Sequence, residues 1–168
     1  MRIFNGFKRE IGCADWRICI LLTAVTWIAG TLSLLLSGAT GYYRLLCKPM
    51  LAPGTVVWLL LWMGYYLLAG IALGLVMGRC THCRASLVRR GLVFWCLFLF
   101  CALLWVPLFF GAGAQVTALL FIVLAICFGC CTLTPFASES LLSAVLLLAC
   151  IGWELFNFLL AVLIILWN

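Results

Sequence analysis

Three groups of residues in this chain have types and spacings that could do chemistry. Cys80-Thr-His-Cys83 sets two thiols across two residues, a spacing that suits a redox pair or half of a zinc site. Zinc takes about four ligands, and His82, the single histidine of the chain, adds one at most. The motif is not a haem-attachment sequence, because Arg84 rather than His follows the second Cys. Trp153, Glu154 and Asn157 bring an aromatic ring, an ionisable group and an amide to one depth of one helix. Trp58, Trp62 and Tyr66, spaced i, i+4 and i+8, make a single stripe at ~3.6 residues per turn, with Tyr65 beside it. Such a stripe can face lipid, pack a core or line a flat apolar ligand. There is no Ser/His/Asp set, phosphate-binding loop or metal box, so no catalytic residue and no metal ligand set is assigned.

The elements that must position these residues are membrane helices. The 168-residue chain is 68% hydrophobic and 8% charged, whereas soluble domains are about half apolar and a quarter charged. Five apolar runs, 18–37, 55–77, 91–110, 116–134 and 141–167, each approach or exceed the ~20 residues that cross the hydrocarbon. They are continuous rather than alternating, which excludes a transmembrane barrel. Gly111-Ala112-Gly113-Ala114 separates the third run from the fourth, and Pro135 with Ser138-Glu139-Ser140 separates the fourth from the fifth. The expected fold is all-α: one membrane domain over 1–168, an integral five-transmembrane-helix bundle. The first run is long and lacks a small-x-small cleavage site, so it reads as a retained helix rather than a signal peptide. Glu154 is the one carboxylate deep in a run and must face the bundle or a cavity.

Charge sets the expected orientation. Arg2, Lys8, Arg9 and Arg17 precede the first run, and Arg79, Arg84, Arg89 and Arg90 lie around the second loop; only Arg44 and Lys48 fall on the other side. Eight against two places the amino terminus in the cytoplasm. The net charge of +6 reflects this bias and attraction to anionic membrane lipid, with no reason to invoke nucleic acid. The lack of a targeting extension fits a bacterial inner membrane. Of the eleven cysteines, those within the runs act as small polarizable hydrophobes. The Cys80/Cys83 pair falls on the reducing side, where structural disulfides are uncommon.

The first loop, Tyr42-Tyr-Arg-Leu-Leu-Cys-Lys-Pro-Met-Leu-Ala-Pro-Gly54, is basic and punctuated by Pro49 and Pro53. Proline fixes its own φ and restricts the residue before it, so the approach to the second helix is stiff. From Tyr43 through Lys48, Pro49 and Pro53 to Trp62, Tyr66 and Gly70-Ile71-Ala72, the sequence resembles the TspO/MBR family of translocator and tryptophan-rich sensory proteins. Trp105-Val-Pro107-Leu-Phe-Phe-Gly111, Trp153 and the closing Asn168 extend the resemblance over nearly the whole chain. It departs from the family pattern at Tyr42, Leu51, Gly54 and Val56 in and after the loop, at Ala102 where an Asn is usual, at Ala149 and Cys150 where Pro-Tyr is usual, and at Ala161 where a second Asn is usual.

The resemblance implies a homodimeric bundle that binds tetrapyrroles such as protoporphyrin or haem, and in some members sterol-like molecules. Porphyrin breakdown has been proposed for bacterial members, which leaves enzymatic activity open; no cofactor is assigned beyond porphyrin or haem as ligand. The ligand-contacting set it implies here is Tyr43, Lys48, Pro49, Pro53, Trp58, Trp62, Tyr66, Trp105, Trp153 and Asn157, in a pocket between the first loop and the second and fifth helices. The loop would act as a lid, with Lys48 or Arg44 meeting a ligand carboxylate; alternatively Lys48 is an interfacial anchor. Two other functions compete. One is a small membrane thiol-oxidoreductase using Cys80 and Cys83. The other is a structural or interaction protein with a vestigial pocket.

Overall fold

In a computed structural model, the described residues are 15–47, 49–50, 52–79 and 85–167. Six helices form: α1 (Trp16–Leu36), a short α2 (Ala39–Leu45), α3 (Thr55–Met77), α4 (Ala85–Val106), α5 (Gln115–Glu139) and α6 (Leu141–Trp167). Among the described residues there is no strand. All but α2 are long and apolar enough to cross a membrane, so the fold is an all-α, five-span membrane bundle.

The helices differ from the apolar runs where local chemistry extends them. Helix α4 starts before residue 91 and carries Arg89 and Arg90 in its early turns, where long basic side chains can reach the headgroups while their stems stay on the helix. It then passes into a π-helical turn, Pro107–Gly111. Pro107 has no N–H to give the preceding turn, and the widened turn closes instead through Ala112 N–H donating to the Pro107 carbonyl at 2.9 Å. Pro135 does not end the fourth span: α5 runs through it to Glu139. The proline is buried against Gly91 of α4, where a Cβ would come within 2.6 Å of the Pro135 Cβ. The break falls at Ser140, whose backbone is extended and whose hydroxyl oxygen accepts the Ser143 N–H at 3.1 Å, an N-cap for α6. The first loop holds α2, introduced by Gly38 at φ 65°.

The helices pack in the ring order α1, α3, α6, α5, α4, with a lighter α4–α1 contact closing it. Lipid tails are as apolar as leucine, so helices associate in a bilayer through close packing and interhelical hydrogen bonds. Both are present. Gly70 and Gly74 of α3 let α1 approach until an added Cβ would lie 2.7 Å from the Cα of Thr23 or Cys19. The Ser143 hydroxyl donates to the Ala72 carbonyl at 2.5 Å, tying α6 to α3, and Ser33 donates to the Leu103 carbonyl at 2.7 Å, tying α1 to α4. On one face of the bundle the Asp15 N–H donates to the Gly78 carbonyl at 3.2 Å, and Arg79 Nη1 donates to the Glu139 carbonyl at 2.6 Å. The opposite face carries α2 and the two prolines of the first loop.

Candidate ligand site

The centre of the ring is filled by aromatic side chains, four of them from α3. Trp58, Trp62 and Tyr66 are fully buried, about 12 Å from first to last along the helix. Around Trp62 stand Tyr65 at 5.1 Å, Trp105 of α4 at 5.3 Å, Tyr66 at 5.7 Å and Trp153 of α6 at 5.8 Å between ring centroids. Above it Trp58 meets Phe110 of the π turn at 5.5 Å and stacks on Tyr43 of α2 at 4.7 Å. The result is one column of touching rings from the first loop to mid-bundle. Each aromatic pair adds about 0.5–1.5 kcal/mol beyond area burial.

The loop closes the top of this column. The Tyr43 hydroxyl donates to the Pro53 carbonyl at 2.8 Å, and the Ala52 N–H donates to the Pro49 carbonyl at 2.9 Å. Burial pushes the Tyr43 hydroxyl up to about 12, so it remains a donor at neutral pH. At the lower end the Tyr66 hydroxyl donates to the Ala102 carbonyl at 3.3 Å, its ring passing over Gly30 of α1, where a Cβ would come within 2.1 Å of it.

The column has many polar atoms with nothing to bond. The indole nitrogens of Trp62, Trp105 and Trp153, the Tyr65 hydroxyl, both Glu154 oxygens and Asn157 Oδ1 are buried without a hydrogen-bond partner. Buried Trp and Tyr usually find one. Asn157 uses its amide nitrogen locally, donating to the Trp153 carbonyl at 2.7 Å. Glu154 is fully buried and faces the Tyr65 hydroxyl, although the two do not close a well-formed hydrogen bond. Among the described residues the open space within the column is small. A cavity of about 10 Å³ lies among Trp58, Trp105, Phe109, Phe110, Asn157 and Ala161, room for one water at most.

Of the residues singled out in the sequence, Tyr43, Trp58, Trp62, Tyr66, Trp105 and Trp153 are joined by ring contacts. Asn157 meets them at the small cavity and Pro53 through the Tyr43 hydroxyl. Pro49 is buried in the loop, where its carbonyl accepts the Ala52 N–H. Lys48 lies outside the described residues, as do Leu51, Asn168 and the Cys80-Thr-His-Cys83 motif. Tyr65, Phe109 and Phe110 belong to the column and are absent from the sequence-derived set. A signal for Tyr65 was its place beside the stripe, and for the phenylalanines their position just after a helix-interrupting proline.

The sequence profile of the TspO/MBR family matches residues 18–167, and so takes in all five spans. The chain belongs to the TspO/MBR family. A search among curated proteins finds no match. Two departures of this TspO/MBR chain from the family pattern now have a structural reading. Ala102 is buried and serves through its carbonyl, which accepts from Tyr66. The amide missing at Ala161 stands one turn earlier, since Asn157 and Ala161 line the same small cavity. None of the eight described cysteines is disulfide-bonded. Among the described residues no three His, Cys, Asp or Glu side chains come together as a metal site.

Proposed function

We propose that this TspO/MBR protein is a membrane receptor or carrier for a flat apolar ligand, a tetrapyrrole such as protoporphyrin or haem or a sterol-like molecule, received between the first loop, α3 and α6. One observation carries the reading: a continuous aromatic column whose three central indoles have no acceptor for their N–H groups. A core built only to pack would bury phenylalanine there, because an unmade buried hydrogen bond costs about 1–3 kcal/mol. A flat ligand with acceptors at its edge satisfies both the rings and the orphan donors.

Sites for ligands of this size occupy about 300–1,000 Å³, far more than the cavity of about 10 Å³. Binding therefore requires the column to open. In this reading the cover opens: α2 meets the column through the Tyr43–Trp58 stack and the contacts of Tyr42 and Tyr43 with Phe110, and is tied to Pro53 by the Tyr43 hydroxyl. A porphyrin would sit with its plane against Trp58 and Trp62 and its propionates toward Arg44 at the surface. The charge bias favours that surface lying outside the cytoplasm; the protein is proposed to sit in a bacterial inner membrane and to work as a homodimer.

The small cavity supports a second reading, in which the rings are only the core of the bundle and the pocket is vestigial. Titration of protoporphyrin, haem and cholesterol separately into the protein in lipid nanodiscs separates the two. The receptor reading expects saturable binding of at least one, seen for a porphyrin as a shift of its Soret band. Linear partitioning of all three, equal to that in empty nanodiscs, supports the vestigial pocket.

A further inference from the structure

Glu154 has no role in the reading above, and its setting is unusual. It is thirteen residues from either end of α6, Leu141–Trp167, about 20 Å along the axis from each. It is fully buried, and neither carboxyl oxygen has a hydrogen-bond partner. A carboxylate at the centre of a bilayer needs a counter-charge or a proton. No described residue offers a counter-charge. The chain's lysines, arginines and single histidine all lie outside the spans, apart from Arg17, Arg89 and Arg90 in the opening turns. The other ionisable groups near Glu154 are Tyr65 and Tyr66 of α3, Cys101 of α4 and Cys150 of α6, none of them cationic.

What surrounds Glu154 instead is aromatic. Tyr65 and Tyr66 stand beside it, in contact with each other at 5.1 Å and with Trp62, which in turn meets Trp153. Faces of Trp and Tyr attract cations, most strongly where water is excluded. A lipid-facing groove lies close by, sharing Tyr65 and Cys150 with the surroundings of Glu154. This groove, of about 210 Å³, runs between α3 and α6, bounded by Leu60, Leu61 and Leu68, with Gly64 and Ala149 leaving it open. Tyr65, Cys150 and Trp153 line it as well. Leu60 and Leu61 are exposed, so the groove faces lipid, and Tyr65 stands between it and Glu154.

We infer that this groove and Glu154 form a lateral site for a lipophilic organic cation, a tertiary or quaternary ammonium on an alkyl or aryl body. The body lies between α3 and α6, and the charged head passes Tyr65 to reach the Glu154 carboxylate within the ring of aromatic faces. The inference rests on the proposed function in one respect: it takes the Trp62–Trp153 end of the column to be a ligand site. It differs in the charge of the ligand and in its route, which is through the bilayer and not under the loop.

The test uses the full chain in lipid nanodiscs with hexyltrimethylammonium and its uncharged carbon isostere, 2,2-dimethyloctane, followed by tryptophan fluorescence. Protoporphyrin is titrated in parallel. The cation is expected to saturate the native protein and the isostere only to partition. Glu154→Gln is expected to weaken the cation by about thirtyfold or more, as loss of one partner of a buried charge pair does. Glu154→Asp, which keeps the charge, is expected to bind within a few fold of native. Equal behaviour of cation and isostere on the native protein overturns the inference without reference to any variant, and so does unchanged affinity in Glu154→Gln. Protoporphyrin saturation alongside a negative cation result removes this site and leaves the proposed function standing. Glu154-dependent cation binding alongside linear partitioning of protoporphyrin, and of the haem and cholesterol titrated as above, removes the proposed function and leaves this site standing, and failure of all four ligands removes both.

Discussion

At the scale of single residues, Trp62 is the hub of the structure. It touches five other rings, those of Trp58, Tyr65, Tyr66, Trp105 and Trp153, and is fully buried. Trp62→Ala leaves a large cavity and is expected to destabilise the protein by about 3 kcal/mol or more, seen as a lower thermal unfolding midpoint in detergent. Trp62→Phe keeps most of the packing and is expected to unfold near the native temperature, so ligand effects can be read on it. Tyr43 makes a separate prediction. Tyr43→Phe keeps the stack on Trp58 but loses the bond to the Pro53 carbonyl, worth about 1 kcal/mol. Cleavage of the first loop by protease should quicken about fivefold, the population change that energy sets. The pH dependence has a definite sign. An unfolded tyrosine ionises near pH ~10, and the folded Tyr43 is pushed up to about 12. The clamp is therefore fully present below about 10 and lost as pH rises from there through about 12. Ultraviolet titration of tyrosinate should show a high-pH component that Tyr43→Phe lacks. The stripe Trp58, Trp62, Tyr66 was legible in the sequence because helical periodicity alone sets it. Trp105 and Trp153, their partners on α4 and α6, came through the family resemblance rather than from spacing, and Phe109 and Phe110 of the π turn were not read at all, because ring contacts across helices depend on packing that no local spacing encodes.

At the scale of elements, α1 and α3 are held by glycine. A side chain at Gly70 or Gly74 meets the backbone of Thr23 or Cys19, which cannot yield as a flexible side chain does. Gly74→Leu is expected to force α1 off α3 and destabilise by about 1–3 kcal/mol, with a lower unfolding midpoint. Gly64 has open space at its Cβ, so Gly64→Ala is the control and should leave the midpoint nearly unchanged. The five spans were legible from hydropathy, since a bilayer demands length and apolarity of every crossing segment. The ends were less so. Pro135 reads locally as a helix end, yet packing against Gly91 carries α5 through it. Helix α2 is seven residues long and too short for periodicity to declare.

At the scale of the whole molecule, the two faces of the bundle carry different chemistry. Arg79 and the ends of α3 and α5 lie on one, and α2, Arg44 and the exposed Cys47 on the other. The proposed orientation, from the charge rule, has the second face outside the cytoplasm. In intact cells a membrane-impermeant maleimide should label Cys47; labelling only after permeabilisation would invert the orientation. The family and its five-helix architecture could be read from the loop and stripe because those residues keep their spacing. The closed state of the column could not, because a sequence that lines a pocket and one that fills it use the same rings. Ligand binding is accordingly the claim to test first. Protoporphyrin is titrated into the detergent-solubilised protein, its Trp62→Phe variant and its Trp153→Phe variant, and tryptophan fluorescence is followed. Saturable quenching of the native protein that weakens in both variants is the result expected of a ligand held between α3 and α6. Linear quenching, identical in all three proteins, would contradict a porphyrin site in the aromatic column.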